Sequence, residues 1–154
     1  YLSGNTENIL PVAVATNAIA ELKKWEQENL RYNKDTGADA TAKMIEEVYG
    51  LTVRQIHDFS EHELKQALNN QHPVLLPLNA KLLGNPKYQN IPAFYHMIVV
   101  RGYNEKGFLV NDPGTEEGNA NFYSFQTLKN AAADWNQEMN KMEPSKKILL
   151  IVSQ

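Results

Sequence analysis

The 154-residue sequence contains no cysteine. This excludes disulfides, cysteine-bound zinc, iron–sulfur clusters and a thiol nucleophile within the chain. An excess of one charge is lacking too: 15 Lys and Arg stand against 18 Asp and Glu, a formal net charge of −3. Sequence-independent nucleic-acid binding needs a basic face, so nucleic acid is not an expected partner. No apolar run approaches the roughly 20 residues of a membrane-spanning helix. The longest, Ile148 to Val152, has the length of a strand. The four histidines form neither HExxH nor His-x-His, and His57, His62 and His72 read as surface or capping residues. No glycine-rich loop leads from a strand straight into a helix. Neither a metal nor a cofactor is expected.

Hydrophobic residues make up 42 %, an ordinary globular share, and the length suits a single domain over residues 1–154. Residues 1–10 carry Gly4 and Asn5 and read as a loop. Pro11 suits a first helical position, and Val12, Ala15, Ile19, Leu22 and Trp25 recur at three- and four-residue steps, which predicts a helix to about Leu30. A second helix is expected from Thr36 and Asp39, spaced as a capping pair, to Gly50, with Ala42, Ile45 and Val48 inward. LTVRQIHD reads as a strand, and Ser60 with Glu63 as a capping box opening a short helix. The apolar period then changes. PVLLPLN (73–79) is a short apolar run, and YHMIVVRGY (95–103) with FLVND (108–112) flanks NEKG as a β-hairpin. Ser124 is expected to cap a helix reaching about Trp135, and KKILLIVS closes as a strand. Helices first and mostly antiparallel strands later make the fold class α+β.

His96 stands out because it occupies an otherwise apolar strand, and the returning strand ends at Asp112. With all of NEKG in the loop, Tyr103 pairs with Phe108 and Asp112 with Val99, leaving His96 on the opposite face. A shift of one, through a three-residue loop or a bulge, pairs Asp112 with Ile98 and makes His96 its diagonal neighbour. The same shift places Ile98, Val100, Phe108 and Val110 on one apolar face with His96 and Asp112 at its end. A side-chain bond of about 2.7–3.2 Å is then expected. A carboxylate on one ring nitrogen fixes the tautomer and leaves the other as a base, two thirds of a nucleophilic triad. The residues alone also allow NDPG to be a plain turn and His96 a strand-end histidine.

The segment YHMIVVRGYNEKGFLVNDPGT resembles the His-to-Asp region of papain-like cysteine peptidases. Within these it is similar to the branch of bacteriocin-processing, double-glycine-leader peptidases and their bacterial relatives. ELKQALNNQHPVLLPLN before it and FYSFQTLKNAAADWN after it resemble the flanking elements, so the likeness covers about residues 60–154. Residues 1–50 match only as a helical lobe. The resemblance implies a papain-like α+β fold, hydrolysis of peptide or amide bonds, His96 as general base and Asp112 as its orienting partner. It also implies a peptide or protein substrate and an extracytoplasmic or cell-envelope setting.

The family's cysteine and the glutamine before it have no counterpart here. Ser3 and Thr16 are the nearest hydroxyls, and neither lies in a nucleophile motif. The chain opens with Tyr1 rather than Met, so the cysteine-bearing helix is expected upstream, and the 154 residues alone are expected to be inactive. The alternative is a pseudopeptidase, a non-catalytic peptide-binding module on the same fold. A third possibility is a partner-binding helical lobe without a site. The loop from Asn79 to Phe94 precedes His96 and reads either as a packed surface loop or as the border of a peptide groove, in which Leu83, Tyr88 and Phe94 are the expected substrate contacts, with Leu82 beside them.

Overall fold

The computed structural model describes residues 11–30, 35–90, 92–114 and 120–154. The expectations for residues 1–10, Ser3 included, lie outside the described residues. In chain order the elements are α1 (Val12–Asn29), α2 (Ala38–Tyr49), β1 (Thr52–His57), α3 (Glu61–Asn69), β2 (Val74–Asn79), β3 (Tyr95–Asn104) and β4 (Gly107–Asn111). They continue with β5 (Asn121–Tyr123), α4 (Phe125–Ala131), β6 (Asp134–Asn136), β7 (Lys141–Glu143) and β8 (Ile148–Ser153). Two short 3₁₀ turns, Ala80–Leu83 and Pro86–Tyr88, lie between β2 and β3.

Six strands form one sheet in the order β1-β8-β2-β3-β4-β5, and every neighbouring pair is antiparallel. The two most apolar runs, β2 and β8, lie side by side within it. That position explains why β8 reads as a continuous apolar run rather than an alternating one: Ile148 to Val152 are all buried. Pro77 sits inside β2, where a missing N–H would ordinarily break a central ladder. It is tolerated because β8 pairs only with Val74 and Leu75, so β2 has no strand on that side at Pro77. The main core gathers Phe59, Leu64, Leu76, Leu78, Ile98, Val100, Phe108, Leu128 and Leu149 between the sheet, α3 and α4. Full burial of each such side chain stabilises by about 1.5–3 kcal/mol.

The capping box at α3 forms in full: Ser60 Oγ accepts from Glu63 N–H, and the Glu63 carboxylate accepts from Ser60 N–H. Gly50 ends α2 in the left-handed conformation, φ 64°. The start of α2 departs from expectation. Gly37, not Thr36 or Asp39, is the N-cap, and it has no side chain to offer. Asp134 supplies the acceptor from 96 residues away, its Oδ1 taking the Ala38 N–H at 2.8 Å.

That contact is linked to a second correction. The helix expected to reach Trp135 stops at Ala131. Ala132 bridges Leu78 and Ala133 N–H donates to Pro77 O, so tertiary contacts draw the chain out of the helix. Asp134 to Glu143 then form the β6–β7 hairpin. α1 also differs from its reading. Of the expected stripe only Trp25 is buried, while Val12 and Ile19 are 82 % and 58 % exposed. Its docking is at one end, where Trp25 Nε1 donates to Glu47 of α2.

Candidate active site

The β3–β4 hairpin closes on a two-residue turn, Glu105–Lys106, with Asn104 opposite Gly107. Gly107 has φ 124°, and a Cβ there would meet Tyr123 O at 2.5 Å, so glycine is required at this turn. Tyr103 pairs with Phe108 and Gly102 with Leu109, after which the register shifts and Val100 faces Val110. The shift falls between Val100 and Gly102, leaving Arg101 as the extra residue of a bulge. Val99 faces Asn111, and the next step sets Asp112 against Ile98. This is the shifted register, in which His96 and Asp112 share a face.

Their side chains meet. His96 Nε2 lies 2.6 Å from Asp112 Oδ1. Oδ1 also accepts from Gly114 N–H at 2.9 Å, and Oδ2 accepts from the Tyr88 hydroxyl at 2.7 Å. Burial alone would raise the pKa of this carboxyl, which is 2 % exposed; bonds from His96, Tyr88 and Gly114 outweigh burial and lower it. An ionised carboxylate can only accept, so Nε2 carries the proton. Among the described residues no group bonds to Nδ1, which leaves that nitrogen available as a base.

Close packing holds the arrangement. Gly114 stands so near that a Cβ would come within 2.9 Å of both His96 Cε1 and Tyr88 Oη. The Tyr88 and Phe94 rings lie 6.0 Å and 5.7 Å from the imidazole. On its open side His96 lines a cavity of about 310 Å³ with Asp35, Thr36, Thr41, Met44, Tyr95 and Met97. Tyr95 donates to Thr36 O, tying β3 to the segment that leads into α2, and burial raises its pKa. The cavity is therefore lined by the imidazole together with thioethers, hydroxyls and the Asp35 carboxylate.

Two of the expected substrate contacts are buried: Leu83 and Tyr88 are 4 % and 3 % exposed and belong to the core. Phe94 is half-buried against that core, beside His96, and Leu82 is exposed. Thr16 is an exposed residue of α1. The tyrosine donor to Asp112 and the close approach of Gly114 lie beyond the sequence pattern. NDPG signalled a turn, but a partner from the 3₁₀ turn at Pro86–Tyr88 leaves no periodic trace in sequence. No cluster that could hold a metal ion occurs among the described residues.

A family model described as the Peptidase_C39 like family matches residues 12–142. The chain belongs to that family. The match takes in α1 and α2, ahead of the stretch from residue 60 that carries the resemblance in sequence. A crystal structure from Bacillus anthracis, of a protein described only as a candidate C39-like peptidase, superposes with a TM-score of 0.54 at 13 % identity. The superposition covers 80 % of this chain and 62 % of that one, so this family member spans less than two thirds of its structural neighbour. At that identity the likeness shows the α+β fold. No curated protein matches the sequence. Among the described residues no helix is long and apolar enough to cross a membrane.

Proposed function

We propose that this C39-like domain hydrolyses peptide or amide bonds, with His96 as general base, Asp112 as its orienting partner, and a cysteine from outside these 154 residues as nucleophile. The observation that carries the reading is the 2.6 Å bond between His96 Nε2 and a buried, ionised Asp112, with no partner on Nδ1 among the described residues and the His96 side chain lining a cavity. In this scheme Nδ1 takes the thiol proton as sulfur attacks the carbonyl carbon and returns it to the leaving amine. Water then hydrolyses the thioester. Single-domain extent over residues 1–154 is part of the proposal.

The 154-residue chain alone is expected to cleave nothing. Proton transfer supplies about 10²–10⁴-fold and cannot replace a nucleophile. The test compares this chain with the natural protein at its full encoded length, each incubated with a degenerate peptide library. Turnover by the full-length protein alone, blocked by a thiol alkylator and lost in His96→Ala, supports the reading. Peptide binding without turnover at full length favours the peptide-binding module. Cleavage by the 154-residue chain that resists thiol reagents would mean a hydroxyl nucleophile, Ser3 or Thr16, and would overturn the cysteine scheme.

A further inference from the structure

We propose that Tyr88 is a positioning residue for the His96 base, acting through the far oxygen of Asp112; this rests on the function proposed above. Asp112 has two oxygens and three donors. His96 and Gly114 share Oδ1, and Oδ2 has Tyr88 as its donor among the described residues. A carboxylate bonded at one oxygen can still turn about its Cβ–Cγ bond. Bonded at both, it is fixed in the plane that meets Nε2. The Tyr88 hydroxyl is well placed for this. Its ring is 3 % exposed and stacks edge-on to Phe94 at 5.3 Å, and it enters from the Pro86–Tyr88 turn, whose Asn85 side chain accepts from Lys87 N–H and donates to the Tyr123 hydroxyl.

The hydroxyl also takes up part of the carboxylate's negative charge. Burial first, and then the bond and proximity to Asp112, raise the Tyr88 pKa, so it remains a neutral donor across the working range. Without it, the charge facing His96 would be less compensated and would hold the imidazolium more strongly. Tyr88 thus moderates the charge that Asp112 presents to His96. The titratable groups facing the pair from neighbouring elements are Tyr123 of β5, Asp35 ahead of α2, and Tyr95 beside His96 on β3. Tyr88→Phe leaves all three in place.

The experiment is ¹⁵N NMR of histidine-labelled protein, following the His96 tautomer and titration in wild type and Tyr88→Phe. Wild type should show the Nε2–H tautomer. The variant should titrate about 1 pH unit higher, the scale of one bond to a charged group. A midpoint within about 0.2 units of wild type, or a fall, in a variant with unchanged amide spectra, overturns the proposal. Should Tyr88→Phe fail to fold, 3-fluorotyrosine placed at 88 keeps the ring and strengthens the donor, and the midpoint should fall; no change overturns it. The readout needs no turnover. A shifted midpoint in a protein that never cleaves peptide defeats the function above and leaves the Tyr88 coupling intact. Cleavage dependent on His96 with an unmoved midpoint does the reverse.

Discussion

At the scale of single residues, the bonds that keep buried Asp112 ionised also make stability depend on acid. Its folded pKa lies below the ordinary carboxylate value despite burial, because His96, Tyr88 and Gly114 donate to it. A group depressed on folding stabilises fully above its unfolded pKa, near about 3.9, and that contribution is lost as pH falls through the folded value. Wild type should therefore lose stability on acidification below about pH 4, and Asp112→Asn should show a shallower loss there. Urea denaturation at a series of pH values checks this; parallel curves would contradict it. At neutral pH Asp112→Ala should cost about 1–3 kcal/mol, since it strands the buried Tyr88 hydroxyl and removes the acceptor of the half-buried His96 ring. The His96–Asp112 pair was legible because a strand has a period of two, and only a one-residue shift gave Ile98, Val100, Phe108 and Val110 a common face. Arg101, the bulged residue that makes the shift, carries no mark of its own. In sequence Tyr88 offers an apolar ring for contact, whereas in the fold its hydroxyl donates to Asp112.

At the scale of elements, local chemistry wrote the helix starts that are local. Ser60 and Glu63 cap α3, and Ser124 caps α4 by accepting from Thr127 N–H. The α2 start is different because its acceptor, Asp134, comes from the far end of the sequence. Gly37 is needed for that approach: a Cβ on it would lie 2.5 Å from Trp135 O. Asp134 Oδ1 accepts from Trp135 N–H as well, so one oxygen serves the α2 terminus and the turn into β6. The chain leading to the same residue also ends α4 at Ala131, short of the Trp135 that the sequence predicts. Ala131, Ala132 and Ala133 are strong helix formers, but each is fully buried, and the pairing with β2 outweighs their propensity. Asp134→Ala should cost about 1–2 kcal/mol, the upper range for a helix cap. Chemical denaturation measures the loss, and faster hydrogen exchange confined to the first turn of α2 would locate it. Exchange unchanged there would place the Asp134 contribution elsewhere.

At the scale of the whole molecule, stability is unevenly spread, and α1 is where that should show. Eighteen residues form the helix, yet Trp25 is its one buried side chain. The apolar residues Val12, Val14 and Ile19 are 82 %, 47 % and 58 % exposed, so the spacing that announced a core-facing stripe produced a helix held mainly at its C-terminal end. Periodicity predicts the helix, but it cannot say whether a partner surface meets the stripe. An isolated helix of this length is marginal in water, and the Lys24–Glu28 pair, with both side chains mostly exposed, adds only about 0.3–0.5 kcal/mol. Amides of α1 ahead of Leu22 should accordingly exchange through local opening at about 0–2 kcal/mol. Amides of Leu76, Ile98, Val100 and Leu150, fully or almost fully buried within the sheet, should exchange only on global unfolding, at about 5–15 kcal/mol. Hydrogen exchange read by mass spectrometry separates the two classes directly. Polar replacement of Val12 and Ile19 should then change global stability by less than about 0.5 kcal/mol, whereas Trp25→Ala should cost about 3 kcal/mol. Protection of α1 equal to that of the sheet would show that its apolar face is covered in solution.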